Sequence, residues 1–195
     1  EKDFQQVTFL AERVCGICSF IHSLTYCQAI EELMNVNVPE RAKYLRVVWS
    51  EMHRIHSHLL WLGLTADAFG FESLFMEGMK CRETVLELME ATAGARIMLG
   101  TCKIGGVKRD IDENTAAHVN RRLDALKASL DPMEPTLMND YSIGERLVGV
   151  GTITAKDAFD TGAVGPVAKA CGIAKDHRVT GYAAYGELNF TPITR

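Results

Sequence analysis

The chain has 195 residues, of which 47% are hydrophobic and 24% charged, with a formal net charge of −4. This balance supports one domain-sized core and argues against a basic nucleic-acid binder or a like-charged disordered tail. No apolar run approaches the roughly 18 residues of a membrane span, so no direct span is expected, and no secretory leader is legible.

The first organised stretch is Glu12-Arg-Val-Cys-Gly-Ile-Cys-Ser-Phe-Ile-His22. Cys15 and Cys18 straddle Gly16, and a helical pattern through Leu24, Ala29, Ile30 and Leu33 follows. The thiols therefore sit in a turn that opens a helix from Ser19 to about Met34. Free N–H groups and the helix dipole there favour thiolate over thiol. Glycine at 16 lets the turn close and lets a bulky group approach the backbone. A bare CxxC could be half a zinc site or a thioredoxin-like redox pair, but no second ligand pair and no βαβ context accompany it. Thiolates suit soft or borderline ions such as nickel and low-spin iron. Cys27, Cys81, Cys102 and Cys171 are scattered, which favours free thiols over a disulfide framework. Cys27 and Cys81 fall in helical patterns, as small buried residues do.

Asn35 to Asn37 breaks the first helix, and Pro39 with Glu40 opens a second. Its seam of Leu45, Val48, Met52, Ile55, Leu59, Leu62, Ala66 and Phe69 predicts packing against neighbouring helices, ending near Gly70. His53, His56 and His58 flank this seam and are expected to be packing or hydrogen-bonded histidines. A third helix is predicted from about Glu72 to Ile97, with Gly94 weakening its last turn. The glycines of Lys103-Ile-Gly-Gly-Val-Lys-Arg-Asp110 predict a bend, and Arg109 and Asp110 can act as an ion-pair couple. A fourth helix, capped by Asp112 or Asn114, carries the seam Ala116, Val119, Leu123, Leu126, Leu130, Met133 and Leu137. Pro132 and Pro135 should interrupt it. Beyond Asp140 the elements shorten. Thr154 and Asp157 suggest a capping box, and loops and short strands are expected after Gly162.

The stretch RVCGICSFIH resembles the first cysteine motif of nickel–iron hydrogenase large subunits, R-x-C-G-x-C-x-x-x-H. Three further stretches, VPERAKYLRVVWSEMHRIHSHLLWLG, KIGGVKRD and TGAVGPVAKACGIAKDHR, resemble the membrane-bound, energy-converting branch of that family. That branch, which includes formate hydrogenlyase, is related to the quinone-site large subunit of respiratory complex I. The resemblance implies a mainly α fold: a bundle of about four long helices with short irregular α/β elements at the C-terminal end.

It also implies roles. Cys15 would be a terminal thiolate on nickel, and Cys18 would bridge nickel and an iron carrying diatomic ligands. His22 would tune the bridging sulfur, and Arg13 would face an electron-relay cluster or pair with Glu12. Gly105, Gly106, Arg109 and Asp110 match a loop near the route between active site and proximal cluster, or form a structural turn. Asp176 and Arg178 read as scaffold. The implied reaction interconverts dihydrogen with protons and electrons. The implied partners are an iron–sulfur small subunit and membrane subunits, placing the protein in the cytoplasm on the inner face of the membrane.

The family completes its nickel–iron centre with a second CxxC pair and carries an acidic N-terminal loop, and this sequence has neither. Residues 1–195 therefore read as a single partial domain of a longer polypeptide, expected to be inactive alone and to hold no metal or adventitious zinc. A complex I-type quinone subunit and a non-enzymatic zinc-binding or assembly module are the rival readings. Cys15 and Cys18 count against the former.

Overall fold

The structure, a computed structural model, describes residues 1–193. It divides into two compact units, Glu1–Leu137 and Met138–Arg195.

In the first unit a short helix, α1 (Val7–Ala11), passes through a 3-10 turn (Glu12–Val14) into the cysteine turn. Helix α2 (Ser19–Met34) starts directly behind Cys18 and stops at Asn35, which takes the left-handed conformation with φ 53°. Helix α3 (Glu40–Ala68) begins behind Pro39, and α4 (Glu72–Ala93) ends at Gly94 with φ +82°. The third helix is thus shorter than its apolar pattern. The Arg109 guanidinium lies 2.6 Å from where a Gly94 Cβ would stand, so a side chain here would have to displace Arg109 as well as take a left-handed backbone. Strands β1 (Cys102–Lys103) and β2 (Gly106–Val107) form a small antiparallel hairpin. Helix α5 (Glu113–Leu130) is capped by Asp112, whose carboxylate accepts from the Thr115 N–H. It gives way to α6 (Met133–Met138) after Asp131-Pro132.

The most extensive packing joins α3 to α4, with α5 laid on the other helix, α4. Gly63 and Gly78 make the close approach possible, since a Cβ at Gly78 would lie 3.3 Å from the Gly63 Cα. Trp49 is fully buried there and donates its indole N–H to Thr92 Oγ1 at 3.2 Å.

The buried face of α3 differs from its apolar seam. Val48 is partly exposed and Ile55 half-buried, whereas Arg46, Ser50, His53 and His56 are buried alongside Leu45, Trp49, Met52 and Leu59. His53 and His56 therefore interrupt the packed face instead of flanking it. The reason is that this face also carries polar contacts: Arg46 with Glu31 of α2, His53 with the Ile17 carbonyl of the cysteine turn, and His56 with Arg82 of α4.

The second unit is built from one- and two-turn elements: α7 (Tyr141–Leu147), α8 (Ala155–Asp160), α9 (Gly165–Ala170) and 3-10 turns at His177–Thr180 and Tyr185–Glu187. No strand occurs among its described residues, in contrast to the expected short strands. Asp140, the Thr154–Asp157 capping box, Pro166 and Asp176 each start a helical turn, and these local signals outweigh the scattered β-formers.

Candidate metal centre

The turn between α1 and α2 brings Cys15, Cys18 and His22 together, with one donor atom from each within 4.8 Å of the others. Cys15 Sγ accepts backbone N–H groups from Ile17 at 3.4 Å and Cys18 at 3.2 Å. Those are free amides of the incipient helix, as the local sequence implied. Hydrogen bonding from the Cys18 thiol, then from these amides, holds Cys15 below the ordinary thiol range. Burial, then donation to Cys15 and its adjacent charge, pushes Cys18 up to about 11. The two sulfurs are thus unequal, Cys15 biased toward thiolate and Cys18 toward thiol. His22 Nε2 lies 3.3 Å from Cys18 Sγ.

Distant residues brace the turn. Glu12 is buried and accepts from Ser23 Oγ at 3.1 Å and from the Gly100 N–H at 3.0 Å. Burial raises its pKa despite these bonds. Glu12 is therefore a clamp between α2 and the segment after α4. Arg13 donates to the Phe9 carbonyl at 2.6 Å and is exposed. Ser19 Oγ donates to the Ile97 carbonyl at 2.7 Å, and His53 Nδ1 lies 3.2 Å from the Ile17 carbonyl.

The glycine loop is placed elsewhere. Gly105 donates its N–H to Glu31 Oε1 at 2.7 Å, and Arg46 Nη2 donates to the Gly106 carbonyl at 3.0 Å. Glu31 and Arg46 are themselves a buried ion pair at 2.5 Å. Glu31 lies three turns along α2 from Ser19, about 18 Å at 1.5 Å per residue. Arg109 and Asp110 do not act as a mutual couple: Arg109 covers Gly94, while Asp110 accepts from exposed Arg41 at 2.9 Å. Sequence reasoning missed Glu12, Glu31, Arg46 and the contact between the Cys27 and Cys102 thiols, because their partners lie far along the chain.

A thiophilic ion fits the cluster. Its donors are two sulfurs and an imidazole nitrogen, the combination such ions take. A Cβ at Gly16 would meet nothing within 4 Å, so the backbone beside the sulfurs is open to a bulky group. Cys15 and Cys18 are half-buried, whereas Cys27, Cys81 and Cys102 are buried away from the turn, so two thiols stand here and not four.

Comparison with known proteins agrees. The family described as "Nickel-dependent hydrogenase" matches residues 1–66, and that described as "Respiratory-chain NADH dehydrogenase, 49 Kd subunit" matches residues 68–195. The chain belongs to the family of the respiratory-chain NADH dehydrogenase 49 Kd subunit, whose match spans most of it. It is 38% identical over 194 residues to the membrane-bound hydrogenase subunit alpha of Pyrococcus furiosus, covering 99% of this chain and 45% of that one. It is 39% identical over 192 residues to the carbon monoxide-induced hydrogenase of Rhodospirillum rubrum, covering 97% and 53%. A chain in the structure of the membrane-bound sulfane sulfur reductase, an archaeal respiratory membrane complex, superposes with a TM-score of 0.93 at 29% identity, over 99% of this chain and 52% of that one. The chain thus spans about half the length of these relatives. No helix of the described residues is long and apolar enough to cross a membrane.

Proposed function

We propose that this chain is the core of the catalytic large subunit of an energy-converting nickel–iron hydrogenase, which interconverts dihydrogen with protons and electrons. The observation that carries this is the Cys15–Cys18–His22 cluster at the start of α2, inside the stretch matched to nickel-dependent hydrogenases. Cys15 and Cys18 supply half of the four thiolates that the family resemblance implies. When bound, a nickel–iron centre supplies Lewis-acid polarisation of dihydrogen. Cys15 contributes the sulfur already biased toward thiolate, a site open to a proton. Cys18 would hold the group through its sulfur, and His22 Nε2, 3.3 Å away, orients that sulfur. Glu12, Ser19 and His53 keep both sulfurs in register.

Arg13 stands on the exposed side of the turn, where an iron–sulfur small subunit would approach. Gly105, Gly106, Arg109 and Asp110 act as a scaffold that sets β1 and β2 against α2 and α3. Membrane subunits would anchor the assembly at the inner face of the cytoplasmic membrane.

A second reading has one observation in its favour. The similar chain of the sulfane sulfur reductase complex shares this fold, and a thiolate beside a thiol also suits exchange with sulfur–sulfur bonds. The discriminating experiment expresses the uninterrupted gene with hydrogenase maturation proteins, then measures nickel, iron and dihydrogen-dependent dye reduction. Loss of nickel in both Cys15→Ser and Cys18→Ser supports the hydrogenase reading. A nickel-free wild type that reduces polysulfide through the same cysteines would replace it.

A further inference from the structure

We propose that Arg82, His56, one lodged water molecule and His53 form a hydrogen-bonded chain that holds the Cys15–Cys18 turn in place. His53 and His56 lie on the buried face of α3 with 2% and 0% of their surfaces exposed, and their rings are 5.9 Å apart. His53 Nδ1 lies 3.2 Å from the Ile17 carbonyl, which can only accept, so this nitrogen carries the hydrogen. Its Nε2 is left as a bare acceptor. Arg82 Nη2 stands 2.6 Å from His56 Nε2 and can only donate, so that nitrogen accepts and Nδ1 carries the hydrogen. Burial keeps both rings neutral.

Three buried atoms of this group have no protein partner: His53 Nε2, His56 Nδ1 and Arg82 Nε. They are one acceptor and two donors, gathered at the α3–α4 interface. An unpaired buried polar atom costs roughly 1–3 kcal/mol, and natural folds rarely leave several together. A water that accepts from His56 Nδ1–H and donates to His53 Nε2 joins the two rings, within the two to four partners that such waters take, while Arg82 Nε stands on the far side of the His56 ring.

The chain ends on the Ile17 carbonyl, between the two cysteines, and on the Ile97 carbonyl, which Ser19 Oγ also binds. His53 is therefore a positioning residue: it locks the turn to the segment after α4, and Arg82 fixes the tautomer of His56 at the far end. This inference rests on the metal-centre reading of Cys15 and Cys18 only for its functional meaning. None of its readouts requires nickel.

The test uses the 195-residue chain labelled with 15N-histidine. Long-range 1H–15N spectra should show both rings neutral with hydrogen on Nδ1, and the His56 Nδ1–H should give an NOE to a long-lived water. Arg82→Met should redistribute the His56 tautomer and raise amide exchange at Ile17 and Cys18 about tenfold, the worth of one such bond. Exchange along α3 should not change. Arg82→Lys, which keeps a donor for His56, should restore most of the protection. Likewise His53→Asn should protect the turn where His53→Leu does not. Hydrogen on His56 Nε2, no water NOE, or Arg82 variants that leave Ile17 and Cys18 unchanged would overturn the proposal. The Arg82 pair decides the matter if His53→Leu fails to fold.

Discussion

At the scale of single residues, the polar groups buried in α3 are what the structure adds to the sequence. His56 is the clearest case, because burial first, and then the neighbouring charges of Arg82 and His53, lower its pKa from 6.5 to about 4. The folded value lies below the unfolded one, so the unfolded chain binds the extra proton as pH falls. His56 therefore costs no stability above pH 6.5, and stability is lost progressively between about 6.5 and 4. At about 1.4 kcal/mol per unit the full loss is on the order of 3 kcal/mol. Urea unfolding of wild type and His56→Gln at a series of pH values should show a steeper acid-side slope in the wild type. Equal slopes would mean that His56 is protonated within the fold. The difference between the two proteins isolates this residue from Glu12, whose raised pKa acts with the opposite sign.

The elements were legible in proportion to how local their causes are. Helix α2 and the start of α3 follow from Asn35 and from Pro39 with Glu40, signals within one turn of the boundary they set. The Cys15–Cys18–His22 cluster was legible for the same reason, since eight consecutive residues build it. What braces that cluster was not legible, because Ile97 and Gly100 lie about 80 residues on and nothing in the motif marks them. The polar side of the α3 core was hidden too, because apolar periodicity registers no polar partner, whether Glu31 on α2 or Arg82 on α4. Nor did the periodicity reveal the close approach at Gly63 and Gly78. Gly78→Leu should drive a side chain into the Gly63 backbone and cost about 1–3 kcal/mol, read as a lower midpoint in chemical unfolding. A wild-type midpoint would mean that the two helices can part without loss.

The second unit depends on a latch of the same local kind. Asp176 accepts from Lys169 Nζ at 2.5 Å and Arg178 Nη2 at 2.8 Å, and these bonds hold its carboxyl well below the usual range. Asp176→Asn should open α9 and the turn after it by about 1–3 kcal/mol, visible as faster amide exchange confined to that unit. Spread of the effect into α2 or α3 would contradict the division into two units.

Across the whole molecule, the six thiols report on the architecture at once. Cys15, Cys18 and Cys171 are half-buried, whereas Cys27, Cys81 and Cys102 are buried. The thiolate is the reactive species, so pKa orders the two cysteines of the turn. Cys15 is held below the ordinary thiol value, while Cys18 is pushed up to about 11. Cys27 offers a sharper test of burial, because its pKa is also lowered, chiefly by hydrogen bonding from the Cys102 thiol. If ionisation alone governed rate, Cys27 would label early; if access governs it, Cys27 waits on opening of α2. Timed alkylation of the reduced chain at neutral pH, followed by peptide mass mapping, should label Cys15 ahead of Cys18, with Cys27, Cys81 and Cys102 last. Labelling of Cys27 alongside Cys15 would show that α2 opens on the timescale of the reaction. Zinc added at stoichiometric amounts should then slow Cys15 and Cys18 together and leave the other four unchanged, because among the described residues only the turn gathers soft donors from three residues. Slowing of Cys15 without Cys18 would separate the two sulfurs, and with them the metal-centre reading of the turn.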